Sequence, residues 1–200
     1  GSIVLTYRSF DLSDVVDRQP IFSPTGVVLA DAPGNIDSGT KTEIAAGLTL
    51  PLDRLGVKAA QLKGQVTWRD TKVLDPLTRS NRQISTLHPV DWEVHFSQAL
   101  PQWQTTWGLD LLGGFRERVF RLTEIETKKV SPYLILFTEH RLASDLTLRI
   151  EANGINMRAA KRIREVYVGP RSLGVLSYTD VRDLEWGGNV IIRLRKTFGG

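Results

Sequence analysis

Hydrophobic and polar residues alternate with period two along most of the chain. From Val90 to Ser97, Val90, Trp92, Val94 and Phe96 share one parity, and Asp91, Glu93, His95 and Ser97 share the other. That is a strand with one apolar and one polar face. Asp145 to Asn153 repeats the design, with Leu146, Leu148, Ile150 and Ala152 against Thr147, Arg149, Glu151 and Asn153. Near the end, Val190, Ile192, Leu194 and Phe198 share a face, interrupted by Lys196, while Asn189, Arg193, Arg195 and Thr197 lie opposite with Ile191 among them. Weaker alternation marks Ile3–Arg8, Ile44–Leu50, Leu62–Arg69 and Trp107–Leu111, and Tyr133–Thr138 is apolar on both parities. Helical periodicity is scarce. The pattern predicts an all-β fold, an antiparallel up-and-down meander of about eight strands.

The connections between these strands alternate in length. Pro51–Gly56, Pro101–Trp103 and Leu142–Ser144 are short and carry turn residues. Asp11–Gly39, Thr71–Gln83, Arg116–Ser131 and Gly154–Glu185 are long. In a meander this sorts every long connection to one end. A soluble sandwich has no reason to sort its loops, whereas an outer-membrane barrel has short periplasmic turns and long outer loops. Aromatic residues of the apolar parity fall in two groups. Tyr7, Trp68, Trp92 and Trp186 lie toward the long-loop end and Phe96, Trp107 and Phe198 toward the short-turn end, as in the aromatic girdles of a membrane barrel. The polar parity would then face a wet lumen, lined by Arg8, Asp91, Glu93, His95, Asp110, Arg149, Glu151, Arg193 and Arg195, in pairs of opposite sign rather than as catalysts.

Composition narrows the classes. The 200 residues are 41% hydrophobic and 24% charged, which excludes disorder. No run of eighteen apolar residues occurs, and the first residues carry no apolar leader core. Cysteine is absent, which removes thiolate metal sites and cysteine nucleophiles. The net charge of +4 is spread along the chain, so a solvated surface explains it better than nucleic-acid binding. No phosphate-binding loop, dinucleotide fingerprint, zinc-protease motif or nucleophile elbow is present. No catalytic residue, metal or cofactor is therefore expected. His95 shares its face with Asp91, Glu93 and Ser97, a weak catalytic candidate beside the plainer reading of a hydrogen-bonded wall residue. The basic run Arg158, Lys161, Arg162 and Arg164 reads as a solvated strand extension, with an anion site as its functional alternative. Asp14, Asp17 and Asp31 lack the order of a calcium loop.

The segment Gly188-Asn-Val-Ile-Ile-Arg-Leu-Arg-Lys-Thr-Phe198 resembles the terminal strand of outer-membrane β-barrels. Leu146–Asn153, Arg162–Arg171, Arg182–Gly187, the Leu50–Gly56 turn and Leu62–Arg69 resemble the end of proteobacterial TonB-dependent receptors. The resemblance implies a location in the Gram-negative outer membrane, contact with its lipid, and insertion by the barrel assembly machinery. That machinery would read an assembly signal formed by Gly188, Val190, Ile192, Leu194 and Phe198. It also implies uptake of a scarce nutrient: a siderophore, vitamin or oligosaccharide. Such receptors have 22 strands and a plug. The eight strands here would form a single domain, the C-terminal part of the barrel, with the N-terminal barrel and plug as partners and TonB reached only through the plug. Two other classes remain open: a lipocalin-like soluble barrel with the faces swapped, and a small outer-membrane lipid-modifying enzyme.

Overall fold

The computed structural model describes residues 1–156 and 159–198. The strands in chain order are β1 (Ser2–Leu12), β2 (Val16–Phe22), β3 (Val28–Asn35), β4 (Gly39–Pro51), β5 (Ala60–Leu74), β6 (Asn81–Arg82), β7 (Val90–Leu100) and β8 (Thr105–Leu112). They continue with β9 (Phe115–Phe120), β10 (Glu124–Val130), β11 (Tyr133–Ala143), β12 (Leu146–Asn153), β13 (Ala159–Tyr167), β14 (Leu176–Glu185) and β15 (Asn189–Lys196). The fold is all-β and antiparallel.

The large sheet runs β1-β4-β5-β7-β8-β11-β12-β15, with β6 beside β5. Its eight-strand path is the meander read from the alternation, and spatial order follows chain order. Its tight turns, at Leu52–Ala59, Pro101–Gln104 and Ser144–Asp145, lie at one end. Asp53 shapes the first by accepting from the Ala59 amide at 2.9 Å, and Gly56 closes it at φ 86°. Among the described residues β1 pairs only with β4, and β15 only with β12.

The long connections are more ordered than the sequence suggests. They fold into strands of their own: a β2–β3 hairpin and a four-stranded sheet in the order β14-β13-β10-β9. Pro20 and Pro33 disguise the hairpin, but in a two-stranded sheet each strand has a free edge, where a missing N–H is tolerated. The expected loops Arg116–Ser131 and Gly154–Glu185 pair with each other as β10 and β13, a long-range match that local alternation does not reveal.

A hydrophobic core lies where this extension layer meets the large sheet. Val15, Ile36, Val73 and Ile84 form it, with Leu12 and Leu87 packed against them. Val73 belongs to the polar parity of β5, so the layer caps that face of the sheet at the long-loop end. The apolar parity is left open there, with Trp68 47% exposed.

Inside the large sheet, Gly108 stands where a close approach requires glycine. A Cβ on Gly108 would run into the Phe96 carbonyl and stand 2.8 Å from the Phe137 ring. Gly108→Ala is expected to destabilise the β7–β8–β11 region by about 1–3 kcal/mol. Faster amide exchange in those strands, with β2 and β3 unchanged, would show it.

Candidate functional site

Strand register fixes which side chains share a face, because partners across an antiparallel pair point the same way. The apolar rows are continuous. Leu50, Leu62, Phe96, Leu109, Leu136, Ala152 and Val190 are successive partners. The next row is Ala60, Gln98, Trp107, Thr138, Ile150 and Ile192. Tyr7, Ile44, Trp68 and Val90 form a row toward the long-loop end. Toward the other end Phe96 and Trp107 meet edge to face at 5.1 Å, and the Trp107 indole N–H donates to Gln98 at 3.0 Å.

All nine polar residues singled out above fall on the opposite face, and all but Arg195 are joined into polar clusters, many by neighbours the alternation did not identify. At the long-loop end Arg8 lies 3.7 Å from Glu43, and Glu43 accepts from Arg69 at 3.0 Å. Arg69 pairs with Asp91, which contacts His88 at 2.9 Å. His88 reaches Glu117 at 3.5 Å, and Glu117 reaches Lys128 at 3.7 Å. This chain of polar contacts joins four strands of the large sheet to the extension layer. Glu43 and Arg69 were missed because only the β4–β5 register brings them opposite each other.

Farther along, Gln65 donates to Glu93 at 2.6 Å. His95 lies between Glu93 (Nε2, 3.3 Å) and Asp110 (Nδ1, 2.8 Å). Both of its ring nitrogens thus face carboxylates, and Ser97 is not among these partners. At the short-turn end Arg149 bridges Glu139 and Glu151, and Arg193 stands 3.6 Å from Glu151. Arg195 lines a cleft there with Glu139, Arg141 and Thr147. Partly exposed pairs of this kind contribute roughly 0–1 kcal/mol each. Their combined effect is a hydrophilic wall carrying both signs.

The assembly-signal residues divide. Val190, Ile192 and Leu194 lie in β15 on the apolar face, all more than 60% exposed. Gly188 precedes that strand and Phe198 follows it, so the strand predicted to end at Phe198 ends at Lys196. Of the basic run, Arg158 lies outside the described residues. Lys161, Arg162 and Arg164 pair with Asp183, Glu126 and Glu124. Asp14 bonds Asn35, Asp17 meets Arg82 and Asp31 meets Arg18. Among the described residues no cluster of His, Asp and Glu is arranged to hold a metal ion.

The strongest electrostatics lie in the extension layer. Arg82 donates to Asp17 and Asp75 at 2.7 Å each, and Arg171 donates to Asp75 at 2.8 Å. All four side chains are less than 10% exposed. Burial pushes the Asp75 carboxyl up, but the Arg171 guanidinium and the Thr78 and Leu77 amides outweigh it and hold the carboxyl at about 2. Asp17 is also lowered: burial opposes the shift, and the bonds from Arg82 and Ser85 prevail. Glu126 follows the same balance through Arg162. A depressed carboxylate stabilises the fold above its ordinary range, and that stability is lost as pH falls toward the folded value. For Asp75 the window runs from the ordinary 3.8 down to about 2. The extension layer is therefore expected to loosen over that window, with Asp75 alone accounting for about 2 kcal/mol. Amide exchange of β9, β10, β13 and β14 across an acid titration checks this.

Compared with known proteins, the chain matches no family model, no curated protein and no solved structure.

Proposed function

We propose that this chain is wall from an outer-membrane β-barrel, the C-terminal part of a TonB-dependent receptor that takes up a scarce nutrient: a siderophore, vitamin or oligosaccharide. One observation carries the reading. The apolar face of an eight-strand sheet has no protein layer over it. Of the buried apolar residues among those described, only Ala60 belongs to that face; Val15, Ile36, Val73, Ile84, Phe120, Val130 and Ala160 all lie elsewhere. Ile3, Leu5, Tyr7, Ile192 and Leu194 are each more than 60% exposed. A contiguous apolar surface of this extent needs a partner phase, and acyl chains supply one. A lipocalin-like barrel would turn the same residues inward.

The open edges fit a partial wall. In lipid, unpaired backbone groups on β1 and β15 are very costly, so both edges would pair with further strands of the parent barrel. The ionic face would look into the lumen, and the extension layer would stand outside the membrane. Nutrient, plug and TonB enter through the parent receptor.

Vesicles whose phospholipids carry bromine on the acyl chains test the reading. Trp68 and Trp107, each studied with the other tryptophans replaced by phenylalanine, are expected to be quenched. Unquenched fluorescence from a freely soluble monomer would overturn the assignment. For the assembly signal, Phe198→Ala and truncation after Lys196 are each expected to abolish insertion by the assembly machinery. Unchanged insertion would remove Phe198 from the signal.

A further inference from the structure

The extension layer contains a cleft of roughly 500 Å³, lined by Arg82, Gln83, Arg118, Phe120, Tyr167 and Arg171 among others. Three nitrogens of these lining residues are buried without an acceptor: Arg82 Nη2, Gln83 Nε2 and Arg118 Nε. Arg82 is 6% exposed at its side chain, and its other nitrogens are committed to Asp17, Asp75 and the Gln83 carbonyl. Three guanidinium groups surround the Phe120 ring, those of Arg82, Arg118 and Arg171 lying 4.6, 5.4 and 5.7 Å from its centroid. Asp17 and Asp75 compensate Arg82 and Arg171, whereas the carboxylate paired with Arg118, that of Glu165, stands 4.0 Å away.

Buried donors without acceptors are uncommon, and each calls for an explanation. Each of these three buried atoms is a donor, so the complementary group is an acceptor. Arg118, whose carboxylate partner Glu165 stands 4.0 Å away, makes a negative one preferable. The volume lies within the range of small-molecule sites. We propose that this cleft binds the oxyanion of a small molecule, a phosphate or a carboxylate, held by Arg82, Gln83 and Arg118. Arginine's planar fork suits either group. The inference rests on these donors alone, and the outcome of the vesicle experiment does not bear on it.

Calorimetric titration of the full chain in detergent micelles, at constant ionic strength, tests it with inorganic phosphate in one arm and malonate in the other. Saturable one-site binding is expected in at least one arm, and the tighter arm identifies the anion. Arg118→Gln is expected to weaken binding at least tenfold and Gln83→Leu severalfold. Arg54→Gln, in the exposed β4–β5 turn, serves as the control and binds as the parent chain does. The Arg118 side chain reaches Glu165 in β13 at 4.0 Å, and amide exchange of β9, β10 and β13 verifies that both variants stay folded. The proposal is overturned if neither probe saturates, or if both cleft variants bind like the parent.

Discussion

Asp75→Ala is expected to release the extension layer while leaving the large sheet in place. The Asp75 side chain is 1% exposed and accepts four hydrogen bonds, from the Leu77 and Thr78 amides at 2.9 and 3.0 Å and from Arg82 and Arg171 at 2.7 and 2.8 Å. Through Arg82 it is tied to Asp17 in β2, and through Arg171 to the connection between β13 and β14. One carboxylate therefore links three chain segments that are far apart in sequence. Its removal leaves two nearly buried guanidinium groups, of which only Arg82 keeps a carboxylate, Asp17. Breaking a buried pair from one side costs about 3–5 kcal/mol, most of it the burden of the orphaned charge. Limited proteolysis should then cut between β9 and β14, and amide exchange should rise in those strands. A double-mutant cycle of Asp75→Ala with Arg171→Leu separates the causes: removing the orphaned cation should restore part of the loss. A protease pattern identical to that of the parent chain would show that the network does not hold the layer.

The two halves of the molecule were unequally legible in the sequence. The large sheet could be read because each strand carries its own alternation, and the parity of Val90–Ser97 or Asp145–Asn153 needs no knowledge of its neighbours. All nine polar residues chosen by parity consequently share one face. Their ionic partners could not be chosen the same way. Glu43 meets Arg69, and Glu139 meets Arg149, only once register is known. The extension layer was largely hidden. In β10 and β13 the charges Glu124, Glu126, Arg162 and Arg164 make an isolated segment look like a solvated loop, and they become a sheet only when opposite signs meet across the pair. The buried network was illegible for the same reason. Asp17, Asp75, Arg82 and Arg171 share no local motif, and an aspartate before Pro76 signals only a turn.

Ile150→Arg is expected to destabilise the large sheet, but only where lipid is present. Ile150 sits in the middle of β12 in the row of Trp107, Thr138 and Ile192, 37% exposed and with no second layer over it. If acyl chains cover this face, an arginine there must lose hydration or distort the bilayer to keep it. On the lipid face of a membrane barrel that costs up to about 2–4 kcal/mol, less the closer the position lies to the interface. Thr67→Arg provides the opposite case. Thr67 lies on the ionic face, directly across from Asp91, where the new cation meets water and a carboxylate. Insertion into phospholipid vesicles, followed by urea titration of the inserted fraction, should therefore fall for Ile150→Arg and hold for Thr67→Arg. In lipid-free buffer the same two variants should behave alike, because both faces then meet water. A soluble barrel with inward apolar side chains makes the contrary demand: Ile150→Arg would unfold it in plain buffer by burying a charge. The difference between the two solvents, more than the size of either effect, decides which phase the uncovered face was built to meet.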